Sequence, residues 1–120
     1  SLDLYGSTWN ILRQHIAGYS FSDKETQEAV MEVYRRHQYI IDPHGAVGYL
    51  AWNSWQEDHP GATGIVLETA HYSKFLEVVA PLLPEAPLEV HPRLAAHGRL
   101  EKKADKLPAE FEEFKGWLMK

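Results

Sequence analysis

The sequence predicts an α/β fold, a short parallel sheet with flanking helices and a final C-terminal helix. Three observations carry this reading. Two short apolar runs, Tyr39-Ile40-Ile41 and Gly64-Ile65-Val66-Leu67-Glu68, are rich in the β-branched and aromatic residues that suit buried strands. Each run ends in a polar turn, Asp42-Pro43-His44-Gly45 or Glu68-Thr69-Ala70-His71, that leads into a helical stretch. The resulting order of helix, strand, helix, strand, helix is that of βαβ units with right-handed crossovers.

The elements follow in order. Trp9, Ile11, Leu12 and Ile16 fall in a stretch that predicts a first helix over 7–17, closed by Gly18. Ser22 and Asp23 are good N-cap residues, and Ser22-x-x-Glu25 has capping-box spacing. Ala29, Val30, Val33 and Tyr34 then share one face, so a helix is predicted over 23–37. After the first strand, Asp42-Pro43 starts a helix from near His44 to about 57. His59-Pro60-Gly61-Ala62-Thr63-Gly64 is turn chemistry. The second strand follows, then a helix from Tyr72 to Ala80 that Pro81 and Pro84 stop. Pro87, Pro92 and Pro108 divide the tail. A short helix is predicted within 91–100, a solvated loop at 102–106, and a last helix whose Phe111, Phe114, Trp117 and Leu118 form a docking face.

Composition bounds the function. The 120 residues fit a single domain over 1–120, 44% apolar and 24% charged, as expected of a folded globular chain. The net charge of −5 argues against nucleic acid, which selects clustered Lys and Arg. There is no cysteine, which excludes disulfides, thiolate metal sites and a cysteine nucleophile, and fits a cytoplasmic location. No apolar run approaches the roughly 18 residues of a membrane span. The chain begins with Ser, not Met, a hint that sequence is missing upstream.

Ligands of an open parallel sheet bind beyond the carboxyl ends of its strands. Both polar turns are predicted to share that edge, where helix N-termini favour an anionic or polar ligand. Each residue also has a structural reading. Asp42 is a natural cap for the next helix, Gly45 and Gly48 allow close helix packing, and Thr69 is a candidate N-cap. His44 and His71 read equally as rim or core histidines. A metal site built on His44 and His71, with Asp42 or Glu68, is a rival, but none of the seven histidines forms an H-E-x-x-H or H-x-H pair. G-x-S-x-G, Walker and G-x-G-x-x-G motifs are missing as well.

The run Glu25–Gly48, ETQEAVMEVYRRHQYIIDPHGAVG, resembles the threonine synthase segment in which a helix leads into a D-P-H-T-A-V-G strand end. The run Gly64–Phe75, GIVLETAHYSKF, resembles that family's strand ending in T-A-H-P-A-K-F, and LPAEFEEFKGWL resembles its C-terminal helix. The resemblance spans residues 22–118. It implies a three-layer fold of the tryptophan-synthase-β type, of which this chain is the C-terminal part. It further implies a pyridoxal 5'-phosphate enzyme of threonine biosynthesis that converts O-phosphohomoserine and water into threonine and phosphate.

By resemblance, Thr69 matches the hydroxyl residue that hydrogen-bonds the cofactor's pyridine nitrogen, while Asp42, His44, His71 and Lys74 support the same edge. The sequence departs from the family where Gly45 replaces a common Thr and where Tyr72-Ser73 replaces Pro-Ala. The cofactor-anchoring lysine and the glycine-rich phosphate loop of the family lie upstream of such a segment, so no catalytic residue is assigned here. The segment alone is expected to be inactive, to pair with the missing N-terminal portion of the same chain and to self-associate without it. The competing expectations are a non-catalytic α/β binding or interaction domain and a small metal-dependent hydrolase using His44 and His71.

Overall fold

A computed structural model describes residues 9–119, and these are arranged as helices joined by extended or irregular runs. The helices are α1 (Trp9–His15), α2 (Asp23–His37), α3 (Pro43–Asp58), α4 (Leu76–Leu82), α5 (Pro92–His97) and α6 (Phe111–Leu118). A 3₁₀ turn at Tyr72–Phe75 runs directly into α4. The predicted residues 7 and 8 of the first helix lie outside the described residues.

The helix α2 forms where its local code is strongest. Ser22 caps it in extended conformation, its backbone N–H donating to Glu25 Oε2 at 2.7 Å, while Glu25 N–H donates to Ser22 Oγ at 3.3 Å. These two bonds satisfy donors that the helix itself cannot. Gln38 ends the helix in the left-handed region, with φ of 54°, and its N–H donates to the Tyr34 carbonyl. The Pro43 ring at the start of α3 removes an N–H that would be unpaired anyway, and Asp42 caps the helix by accepting from His44 N–H at 2.9 Å.

The core sits where α2, α3 and α4 meet. Ala29, Val30 and Val33 of α2, Ile41, Ala46 of α3, and Val79 and Leu83 around α4 are its buried apolar residues. Pro81 lies inside α4, which ends at Leu82 rather than at Ala80. A core this small leaves the chain spread out. The radius of gyration is 19.7 Å, against roughly 14 Å for a compact domain of this length.

The α/β expectation is overturned: among the described residues there is no strand and no sheet, so no parallel ladder and no βαβ crossover exist. Residues 39–41 and 64–68 exchange no backbone hydrogen bond with each other. The second run lies against α3 through Gly48, whose added Cβ would stand 3.4 Å from Val66, and through Gly64, where a Cβ would overlap the Trp52 ring. Its outer side chains are bare, with Ile65 87% and Leu67 78% exposed. A strand is defined by its ladder partner, and the described residues supply none.

The predicted docking of the last helix fails too. Phe111, Phe114, Trp117 and Leu118 are all exposed on α6, though Trp117 Nε1 donates to Asp105 at 3.0 Å.

The Ser22 box makes a stability test. Ser22→Ala should destabilise the chain by about 1 kcal/mol at neutral pH in urea unfolding. The Ser22 hydrogen bonds, side chain first and then backbone, hold the Glu25 carboxyl below its ordinary 4.5. A depressed folded-state pKa adds stability above the unfolded value that is lost as pH falls through the folded one. The difference between wild type and Ser22→Ala should therefore shrink as pH drops below 4.5.

Candidate functional site

The two predicted turns do meet, through side chains instead of a sheet. Glu68 Oε1 accepts the Asp42 backbone N–H at 2.8 Å, and Glu68 Oε2 accepts from the Tyr39 hydroxyl. This ties the end of the 64–68 run to the first turn of α3. The hydrogen bond to Glu68, then partial burial and the nearby Glu68 and Asp42 charges, push the Tyr39 phenol up to about 12. A cavity of about 450 Å³ opens beside the tie, walled by Gln38, Tyr39, Glu68, Ala70, His71 and Tyr72.

Asp42 is fully buried. Its Oδ1 accepts from His44 N–H and meets His44 Nδ1, both at 2.9 Å. Its Oδ2 has no hydrogen-bond partner among the described residues. The His44 ring is largely exposed and lies 4.9 Å from the Phe75 ring. Gly45 is buried directly beneath this carboxylate, where an added Cβ would stand 2.8 Å from Ile41 Cγ1 and 3.4 Å from Asp42 Oδ2.

His71, not Thr69, caps the next element: its Nδ1 accepts from Ser73 N–H at 3.2 Å and faces Ser73 Oγ at 2.7 Å. Thr69 is exposed, and its hydroxyl has no hydrogen-bond partner among the described residues. Glu68, Ala70, His71 and Tyr72 line the 450 Å³ cavity while Thr69 does not. Lys74 is exposed and lines a second cavity of about 230 Å³ with His71.

The structure thus unites Asp42, His44 and Glu68, places His71 on both cavities and Lys74 on the second, and leaves Thr69 exposed outside both. His44 and His71 do not pair as ligands, and among the described residues no three His, Asp or Glu side chains converge as a metal site. Sequence reasoning passed over Tyr39 and Ser73. The signal for Tyr39 was its place opposite Glu68 at the ends of two similar runs.

The family model for the C-terminal part of threonine synthase matches residues 45–117, more than half the chain. The chain belongs to the threonine synthase C-terminal family. It is 34% identical over 102 residues to the threonine synthase of Escherichia coli K12, an alignment that covers 85% of this chain and 23% of that protein. The threonine synthases of Serratia marcescens, 34% identical over 98 residues, and Haemophilus influenzae, 30% identical over 99, are each matched over 82% of this chain and 22% of their own length. The chain therefore spans under a quarter of the threonine synthases it matches. No solved structure gives a significant match. Among the described residues no helix is long and apolar enough to cross a membrane.

Two tests follow from this geometry. In an absorbance titration, one tyrosine should ionise near pH 12, and Glu68→Gln should return it toward the ordinary value of about 10. A raised folded-state pKa adds stability that is present below the unfolded value and lost as pH rises from about 10 to 12.

The second test concerns the orphaned Asp42 oxygen. The threonine synthase pattern has a Thr where this chain has Gly45, and a hydroxyl there would reach Oδ2. Gly45→Ser should be more stable than Gly45→Ala by about 1 kcal/mol in chemical unfolding, because both press on Ile41 but only Ser supplies a donor.

Proposed function

We propose that this chain forms the C-terminal part of a threonine synthase, a pyridoxal-phosphate lyase that converts O-phosphohomoserine and water into threonine and phosphate. The observation that carries the reading is the junction of the two family turns through Glu68, with the Thr69 hydroxyl beside it left unengaged. When bound, the cofactor supplies an electron sink for the carbon that bears the amino group.

The residues present fit one edge of such a site. Thr69 offers a neutral donor to a pyridine nitrogen, which holds the ring without adding the charge that an Asp would bring. Asp42 fixes the start of α3 and the His44 ring, and Glu68 holds the run that carries Thr69. His71 and Lys74 are supports on the adjoining turn.

A covalent anchor for the cofactor is a different matter. Lys24 and Lys115 pair with Glu28 and Glu112 on the surface, and Lys74, Lys102, Lys103 and Lys106 are exposed. None of these described lysines is buried. The anchor, the phosphate cradle and most of the substrate contacts would belong to the N-terminal portion of the same protein, in the cytoplasm. The bare apolar side chains of Ile65 and Leu67 are the edge that this portion would cover. Among the described residues the metal-hydrolase reading has no converging ligands to rest on, and the α/β premise of the binding-domain reading is gone.

The test is a chimera in which this chain replaces the matching segment of the Escherichia coli enzyme. It should bind pyridoxal phosphate and turn over O-phosphohomoserine, with Thr69→Ala at least tenfold slower. The isolated chain should self-associate in light scattering and give no stoichiometric lysine adduct after pyridoxal phosphate and borohydride, read by intact mass. A folded, cofactor-loaded chimera without turnover, or a single-lysine adduct with turnover in the isolated chain, would sink the reading.

A further inference from the structure

Resting on the synthase reading, we infer that Tyr39 is a positioning residue: through Glu68 it sets where the Thr69 hydroxyl stands, and so how this part of the enzyme meets the cofactor ring. Thr69 is held by its backbone alone. Its hydroxyl is exposed and makes no hydrogen bond among the described residues. The run around it, residues 64–70, makes no backbone–backbone hydrogen bond among them either. What pins it is the Glu68 carboxylate one residue before and the His71 cap two residues after.

Glu68 is itself fixed from two helices. Its Oε1 accepts the backbone N–H of Asp42, the N-cap of α3, at 2.8 Å. Its Oε2 accepts the Tyr39 hydroxyl. Tyr39 follows directly on Gln38, whose backbone N–H at 2.8 Å and side-chain Nε2 at 3.1 Å both donate to the Tyr34 carbonyl of α2. One oxygen is thus referred to the start of α3 and the other to the end of α2. A carboxylate held at one oxygen can swing about that bond, whereas one held at both has its plane set. The Cα of Thr69 lies one trans peptide, roughly 3.8 Å, from that of Glu68, so a swing of Glu68 is passed on. A misplacement on the order of 1 Å is enough to slow an enzyme strongly.

The hydroxyl of Tyr39, not its ring, carries this role. The residue is 52% exposed and lies outside the buried core, so Tyr39→Phe removes one donor and little packing. Nothing nearby replaces that donor. Glu68 makes no ion pair among the described residues, and the Tyr72 hydroxyl on the same cavity wall is engaged by the Glu89 N–H at 3.0 Å. The phenol, pushed up to about 12 first by its hydrogen bond to Glu68, remains a donor well above neutral pH.

The experiment uses the chimera with the Escherichia coli enzyme, carrying Tyr39→Phe, Thr69→Ala or both, with Tyr19→Phe as control. Tyr19 stacks on Phe21 and takes no part in the tie. Tyr39→Phe should lower kcat about fivefold, leave KM within about twofold, and move the absorption band of bound pyridoxal phosphate in the same direction as Thr69→Ala. On the Thr69→Ala background it should change kcat by less than about twofold, because the two residues act as a unit. In the 120-residue chain, without cofactor or turnover, the Asp42 amide should exchange with deuterium faster in Tyr39→Phe than in wild type or Tyr19→Phe. A Tyr39→Phe chimera with unchanged kcat and absorption band overturns the proposal, as do losses that multiply with those of Thr69→Ala, an equal effect of Tyr19→Phe, or an unchanged Asp42 amide. In each of these cases a slow Thr69→Ala chimera leaves the synthase reading standing. Full turnover in Thr69→Ala overturns the proposal together with the role given to Thr69.

Discussion

The structure around the candidate site depends on one carboxylate. Glu68 takes a backbone N–H from the start of α3 and a hydroxyl from Tyr39, and so joins parts of the chain 26 residues apart. Charge-assisted hydrogen bonds of this kind contribute about 1.5–3 kcal/mol each when partly shielded. The carboxylate also lies at the positive end of the α3 dipole, where negative charge is favoured. Among the described residues no ladder bond holds the 64–68 run, so without this carboxylate it relies on side-chain contacts such as those with α3 at Gly48 and Gly64. The position of Thr69 follows from that tie, one residue further along.

The tie brings a second carboxylate close, and the local sequence reflects this. Asp42 is buried next to the Glu68 contact and needs donors of its own. His44 supplies two, from its backbone and its ring. Burial of an unmatched acceptor costs on the order of 1–3 kcal/mol, and Oδ2 is such an acceptor here. Gly45 explains why. Its missing side chain lets the Ile41 side chain close over the helix start, and it also removes the hydroxyl that the family pattern would place within reach of Asp42.

How much of this was legible depended on the range of the interaction. The Ser22–Glu25 box and the Asp42-Pro43 start are complete within four residues, so α2 and α3 could be read directly. The apolar runs at 39–41 and 64–68 could not. Their composition reports a preference for a pleated, half-buried surface, but not whether a ladder partner is present. Among the described residues no partner pairs with either run, and Ile65 and Leu67 stand exposed. The same holds for α6, whose periodic face was readable and whose lack of a docking surface was not. The premise of a parallel sheet was wrong, yet the juxtaposition of its two turns was right, because a side chain can join two run ends without a ladder between them.

The histidines show a further limit and a further use of local chemistry. Nothing in the sequence says which ring nitrogen of His71 or His91 will accept a backbone N–H, since that depends on turn geometry. Once the turn is formed, Nδ1 of each ring is the nitrogen that accepts. The surroundings then change from residue to residue between Glu68 and His71. Glu68 and His71 both line the larger cavity, Thr69 is exposed outside it, and His71 also lines the smaller one. The arrangement of Glu68–His71 requires no sheet, only a run held at one end by Glu68 and at the other by the His71 cap.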